Sequence, residues 1–398
     1  MKRARTVEEM RFAASLEPCP SCGIKQLGTL ELQGSGRSWT YRGKCPQCGT
    51  ARTFQFTSIG DPTRTRIGQF DLGPLRSELI APEQFLAILD EATGRLPADP
   101  STLTPDLRDV AADQLRRALT CVAELLKLLP LGVNQMPGST DPRLQRSWLS
   151  GEFKRLRVLT LKYAPPPSIE PVALQAHAEY VQRGAKGPGQ LKIVGASLVR
   201  ENYGAVQLSF AEIARSDLTC IDLAEARLEY ALLEEDTFAF ALLRGANLIN
   251  VVIRGGTWTS INASSAKLNA AEIDRAVFSR SEMEGTLWYD ARVTGARFDG
   301  VRFGSAVFDR ALFQGCSFID ASFSLLSSKP EPTSDGAQFI DCDLTGTEWT
   351  GRNLRGTTFL RCKLAGATGV PTSTDGLVVN DCDVRADAFV AQLQHPLN

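Results

Sequence analysis

A large apolar residue recurs at every fifth position across more than a hundred residues of this chain. Ile213, Leu218, Leu223, Leu228, Leu233 and Phe238 open the regular series, and Phe298, Phe303, Phe308, Phe313, Phe318 and Phe323 close it. Two residues before most of these stands a small one, as at Ala211, Ser216, Ala226, Ala231, Ala296 and Ala306. A helix repeats near 3.6 residues and a strand at 2.0, so neither can place these side chains on one face. A fixed self-similarity of this kind belongs to stacked architectures, in which neighbouring units bury a common core.

The segments "SDLTCIDLAEARLEYALLEEDTF" and "GANLI" carry a motif of the form A-(D/N)-L-x-x. The run resembles the pentapeptide-repeat family. That resemblance implies a right-handed quadrilateral β-helix, four pentapeptides to a coil, with the middle Leu or Phe and the small residue two before it both pointing inward. Residues twenty apart then stack, so Phe298 meets Phe318 and Phe303 meets Phe323 at about one strand spacing, 4.8 Å. Ala263 is small at a large position and Ile261 large at the preceding small one, a swap that conserves core volume.

The fold class expected is mostly β: a right-handed quadrilateral solenoid preceded by an N-terminal cysteine-bearing module and a small α-helical domain. The expected segments are 1–68 for the cysteine-bearing module, 69–165 for the helical domain and 166–190 for a linker and capping helix. Residues 191–385 form the β-helix, and 386–398 a C-terminal capping or dimerisation helix.

The one sharp chemical motif lies near the N-terminus. Cys19-Pro-Ser-Cys22-Gly and Cys45-Pro-Gln-Cys48-Gly are two C-P-x-C-G knuckles joined by a stretch that reads as a hairpin, "TLEL", "QGSGRS", "WTYRGK". Each C-x-x-C turn supplies two thiolates to one side of a tetrahedral ion, and Gly23 and Gly49 allow the turn. The module, residues 1–68, resembles a zinc ribbon; four cysteine ligands leave no open position, so the expected cofactor is structural Zn2+ held by Cys19, Cys22, Cys45 and Cys48. Lys25, Arg37, Arg42, Lys44, Arg52, Arg64 and Arg66 lie in or near this module, with Trp39 and Tyr41 as candidate stacking faces, so nucleic-acid binding by the ribbon is one alternative.

Helices are expected from Pro82, from Thr104-Pro105 to Pro130, through "RSWLSGEFKRLRVLTLKY", and over "EPVALQAHAEYVQRG", the last capping the first coil. The second has an apolar set of Leu107, Val110, Ala111, Leu115, Ala118, Leu119, Val122, Leu125 and Leu126 at helical spacing, with Cys121 as core. "APPPS" reads as a stiff linker. His177 reads as a packing or surface residue.

After Phe323 the register slips. The next large positions are Phe339, Leu344, Trp349 and Leu354, which reads as one inserted residue. Two irregular pieces echo each other, Pro332-Thr333-Ser334-Asp335-Gly336 and Pro371-Thr372-Ser373-Thr374-Asp375-Gly376, and their aspartates are two coils apart on the lattice. Thr333, Ser334, Asp335, Thr372, Ser373 and Asp375 are the candidate partner-binding residues. Cys342, Cys362 and Cys382 are expected as an interior column.

The chain of 398 residues has a formal net charge of -1, with its repeat half acidic and the remainder basic. Neither imbalance is large enough to select a partner class. No apolar run is long enough to span a bilayer, and the N-terminus lacks the apolar stretch of a secretion signal, so a cytoplasmic bacterial protein is expected. No catalytic constellation is visible in the sequence. The function expected is non-enzymatic: a rigid scaffold for protein–protein interaction with a zinc-stabilised docking module. The resemblance adds another alternative, since some members of that family imitate duplex DNA and bind DNA gyrase or topoisomerase IV, protecting against inhibitors. A homodimer through the C-terminus is a further expectation.

Overall fold

In a computed structural model of the chain, residues twenty apart pair in parallel through most of the repeat: Ile213 with Leu233, Trp258 with Phe278, Ile273 with Val293. The structure describes residues 3–35, 37–58, 77–94, 96, 100, 103–129, 133–163, 168–325 and 333–394. The proline-rich stretch at 164–167, Arg64, Arg66, Pro130 and Pro332 lie outside them. The chain divides into two compact units, Met1–Leu159 and Thr160–Asn398.

In the first unit a four-stranded sheet runs β1 (Arg3–Ala4), β4 (Ala51–Ser58), β3 (Ser38–Lys44), β2 (Leu30–Ser35), antiparallel except for the β1–β4 edge. Alternation in β4 buries Arg52, Phe54, Phe56 and Ser58 and exposes Ala51, Thr53 and Gln55, as a half-buried strand requires. Helix α1 (Val7–Leu16) covers the inner face with Met10 and Ala14 against Tyr41, Phe54 and Phe56. The sequence reading missed this helix, although Thr6 and Glu9 have capping-box spacing. The Thr6 hydroxyl accepts from Glu9 N at 3.1 Å. Arg5 and Glu9 at its start belong to a buried ionic cluster. Arg5 pairs with Glu9 at 2.9 Å and Glu124 at 3.1 Å, Lys127 pairs with Glu124, and the Ser77 hydroxyl donates to Glu9 at 2.6 Å. Each buried charge is thus met by its opposite, which removes most of the penalty of a lone buried ion.

Three further helices follow: α2 (Pro82–Gly94), α3 (Pro105–Leu128) and α4 (Arg146–Lys162). Pro105 occupies the first turn of α3 as expected, but Thr104 makes no side-chain cap bond. Leu115, Leu119, Val122 and Leu125 are buried, whereas Leu107 and Val110 are 55% and 57% exposed, contrary to the expectation for them. Helical spacing put them on the apolar stripe, yet the first turns of α3 are not covered there. Cys121 is buried, and burial pushes its thiol up to about 12.

The second unit is a four-sided solenoid of about nine turns. One side is a ten-stranded parallel sheet from Lys192–Val194 to Val378–Asn380, and a second has four strands from Thr237–Ala239 to Arg297–Asp299. The remaining sides are stacked single bridges such as Asn202 with Asp222 and Gln207 with Arg227. Inward positions alternate large and small as the period demands: Leu223, Leu228, Phe238 and Phe298 are buried, as are Ala226, Ala231 and Ala296 between them. Glu225, outside by register, is exposed. Most corners among the described residues turn through left-handed backbone, as at Arg215 (φ 50°), Glu225 (φ 58°) and Glu235 (φ 53°).

The rings stack as expected. Phe298 and Phe318 have centroids 5.0 Å apart, and Phe303 and Phe323 4.9 Å. The swapped pair Ile261 and Ala263 is buried at both positions. Two buried indoles are satisfied by a local device. Trp288 Nε1 donates to Thr286 Oγ1 at 2.8 Å and that hydroxyl donates to Met283 O, and Trp349 does the same with Thr347 and Leu344. Trp258 has Gly256 where those have threonine, and its buried N–H has no hydrogen-bond partner among the described residues.

Both ends of the core are closed. Helix α5 (Pro171–Gln182) lies over the first coil, where buried His177 accepts from Leu191 N through Nδ1 at 3.0 Å. Glu201 holds the approach to this helix by accepting from Ser168 N at 2.8 Å. Helix α6 (Ala386–Gln394) caps the last coil. Phe389 and Leu393 are buried, Phe389 packs edge-on to Phe359, and Gln392 donates to the carbonyls of Leu364 and Ala367. Open solenoid ends would otherwise expose apolar surface and unpaired edges.

The register slip is larger than one residue. Phe313 pairs with Phe339, so that coil spans twenty-six residues instead of twenty. Six residues are inserted. The five-residue period reveals only the remainder of one.

Candidate metal centre and loop surface

Each cysteine knuckle is a tight turn set by its own backbone. Gly23 N donates to Cys19 O at 2.8 Å and Gly49 N to Cys45 O at 3.0 Å, with both glycines in left-handed conformation (φ 73°). The hairpin β2–β3 carries the second knuckle back beside the first, Leu30 pairing with Gly43. All four sulfurs then lie within 4.8 Å of one another. The contacts Cys19–Cys48 and Cys22–Cys45 are each 3.6 Å. A tetrahedron with metal–sulfur bonds of about 2.3 Å has edges of about 3.8 Å, so the donor set fits a metal ion of zinc's size.

The surroundings favour thiolates. The Thr50 hydroxyl and amide push Cys48 down to about 6, and amides of Cys48 and Gln47 lower Cys45. Cys22 goes the other way, to about 12, despite the Ile24 amide aimed at its sulfur. Desolvation and the neighbouring cysteine sulfurs favour its neutral form. A cation among the four would reverse that balance.

The ribbon's basic and aromatic residues divide differently from the sequence expectation. Tyr41 is core, its hydroxyl donating to Val7 O at 3.3 Å, and it offers no stacking face. Trp39 is partly buried against the same cluster. Arg52 is also buried, donating to Gln26 O and Glu17 O with its guanidinium over Phe54. Lys25, Arg37, Arg42 and Lys44 remain exposed.

The two echoed turns sit on one side of the solenoid. Gly336, Gly356 and Gly376 stack, a Cβ on Gly356 falling 3.4 Å from Gly336 N and one on Gly376 3.6 Å from Gly356 N. Asp335 and Asp375 are exposed on successive alternate rungs with exposed Arg355 between them. Thr372 is exposed, while Thr333 and Ser373 are half-buried. Ser334 does not belong to this surface. It is buried at a large inward position of the lattice.

The residue that fills the space beside it is Arg352, which the sequence reading passed over. Arg352 stands at a small inward position and is fully buried. Its guanidinium donates to Ser334 Oγ at 3.0 Å, Thr333 O at 3.1 Å and Gly304 O at 3.4 Å, and lies 4.7 Å above the Phe308 ring. Burial pushes it down to about 9. The signal was present: a serine at a large slot and an arginine at a small one, the same exchange of volumes as at Ile261 and Ala263.

The interior cysteine column is longer by one member than expected. Cys316 lies below Cys342 because that coil has twenty-six residues. Cys316, Cys342 and Cys362 are buried and Cys382 half-buried, each sulfur facing carbonyls of its own and the preceding rung. Among the described residues no helix is long and apolar enough to cross a membrane.

The pentapeptide repeats family model matches residues 289–324 and 335–368, with eight copies in all. Solved structures to which the chain is similar include full-length QnrB1, a plasmid-mediated fluoroquinolone resistance protein. It is 15% identical over 51% of this chain and 96% of that one, with a TM-score of 0.31. HetL, a pentapeptide repeat protein involved in heterocyst differentiation regulation from Nostoc sp. strain PCC 7120, is 18% identical over 52% of this chain and 92% of that one, with a TM-score of 0.19. Rfr23 from the cyanobacterium Cyanothece 51142 is 19% identical over 26% and 81%, with a TM-score of 0.23. No curated protein sequence matches the chain.

Proposed function

We propose, from the premise that the second unit is a pentapeptide-repeat solenoid, that this chain is a non-enzymatic scaffold for protein–protein interaction. Its interior is given over to packing, and its outward positions form a fixed lattice on which a partner can be read. The observation that carries this reading is the pair of echoed turns displaying Asp335 and Asp375 two rungs apart, roughly 10 Å by strand spacing. Exposed Thr372 and half-buried Thr333 and Ser373 complete the surface. Zinc is the metal proposed for Cys19, Cys22, Cys45 and Cys48, in a structural role, because a closed thiolate set leaves no position for a substrate. The cytoplasm suits ten cysteines none of which is in a disulfide.

Imitation of DNA toward a topoisomerase has less support. The solenoid's outward acids are interleaved with bases: Arg310 pairs with Asp290 at 2.7 Å, Arg361 with Asp341 at 2.6 Å and Lys363 with half-buried Asp343 at 3.1 Å. Nucleic-acid binding by the ribbon loses two of its supports, Tyr41 and Arg52, to the core. The test is affinity capture from the native lysate with wild type and an Asp335→Lys, Asp375→Lys double variant. Loss of the main captured protein at an unchanged melting temperature supports the proposal. Full retention moves the partner site off these turns.

A further inference from the structure

The early coils of the solenoid display a ring stack that the core does not use. Corner positions have left-handed backbone, which suits glycine and asparagine and is unfavourable for bulky side chains. Phe210 (φ 65°) and Tyr230 (φ 59°) nevertheless occupy two successive corners of one column, which continues with Asn250 and Ala270. Their rings lie parallel, with centroids 4.9 Å apart and planes within 4°. Tyr230 is 54% exposed. Phe210 is half-buried, so the pair lies at the surface of the coil and not in its core.

Beside the stack lies an oriented carboxylate. The Ser209 hydroxyl donates to one oxygen of Glu229 and Asn247 Nδ2 to the other at 2.6 Å. Among the described residues no cation lies within ion-pair distance of Glu229, although Arg227 is exposed two positions away. Glu225 and Glu235 are exposed on the neighbouring corners. Phe210 covers one face of Tyr230. The corner on the other side carries Asn250, which has no ring to continue the ladder.

We propose that this corner binds an arginine side chain of a protein partner. The guanidinium plane stacks on the second face of Tyr230, as the next plate of the ladder beside Asn250, and pairs with Glu229. A planar, weakly hydrated guanidinium suits that slot better than a strongly hydrated ammonium. The inference rests on the scaffold reading and specifies the chemistry of one partner contact, separate from the turns at Asp335 and Asp375.

The test titrates the full-length, isotope-labelled protein with the peptide acetyl-Gly-Gly-Arg-Gly-Gly-amide and its lysine counterpart, followed through backbone amide shifts. The arginine peptide should shift Glu229, Tyr230 and Asn250 and bind roughly five-fold more tightly than the lysine peptide. Tyr230→Leu, which keeps apolar area but removes the π face, should weaken binding about five-fold. Glu229→Gln should weaken it about three-fold, and Glu225→Gln, an equal charge change outside the slot, should not. Asn250→Tyr should block the slot. Melting temperatures identify any variant that has lost its fold. Binding indifferent to Tyr230→Leu, equal affinity for the lysine peptide, or an equal loss on Glu225→Gln would each overturn the proposal. Because no cellular partner is used, such a failure leaves the test of the Asp335 and Asp375 surface intact.

Discussion

Asp236 shows how one residue can set the pH response of a rigid core. It occupies a small inward slot, in the column that holds Ser216 one rung below and Gly256 one rung above. Amides of Ser216 and Glu234 donate to it at 2.8 and 3.1 Å, yet desolvation outweighs both and raises its carboxyl to about 6. In the unfolded chain the group titrates near 4. The folded state therefore holds the extra proton between these values. Its contribution to stability is present below about pH 4 and lost as pH rises through about 6. Lifting a carboxyl from about 4 to about 6 corresponds to roughly 3 kcal/mol. Asp236→Asn should remove this dependence, so the difference in unfolding free energy between variant and wild type should grow from pH 4 to pH 7. A difference independent of pH would show that Asp236 is ionised in the fold across that range.

Among elements, the coil of twenty-six residues is the one that departs from the lattice, and Arg352 is what accommodates it. Where the insertion returns to the stack, a small Ser334 leaves space at a large position. Arg352 fills that space from the next coil, satisfies two carbonyls and a hydroxyl, and stacks on Phe308. Arg352→Ala removes volume and three donors together and should destabilise the solenoid by about 3 kcal/mol in denaturant unfolding. Ser334→Ala removes one acceptor and should cost about 1 kcal/mol. Equal and small effects would mean that the insertion closes without the guanidinium.

At the scale of the molecule, each unit has its own core, and the four-cysteine cluster belongs to one of them. The first unit buries Tyr41, Phe54 and Phe56 under α1, and the four cysteines lie at the two ends of the β2–β3 hairpin beside this core. The solenoid is held by coil stacking and closed by α5 and α6. Purified protein should contain about one zinc per chain. Cys45→Ser should release it and unfold the first unit, while the solenoid's unfolding transition stays in place. A metal-free protein with a fully folded first unit would remove the structural role from the site.

The sequence by itself determined the solenoid and the convergence of the four cysteines, because both are written in short, fixed spacings. A five-residue period admits one kind of core, and two C-x-x-C turns across a hairpin need only local geometry to converge. Tertiary structure decided the rest. Helical spacing marked Leu107 and Val110 as core, but spacing names a face and not what covers it. Ribbon charges and rings looked available for a partner, yet Arg52 and Tyr41 are spent on packing that only the docked α1 and the folded sheet define. A period of five registers an insertion only as its remainder, so the pairing of Phe313 with Phe339 was needed to count six residues, to add Cys316 to the cysteine column and to carry Ser334 inside. Whether α6 caps the solenoid was likewise decided by the contact of Phe389 with Phe359, between residues thirty apart in the chain.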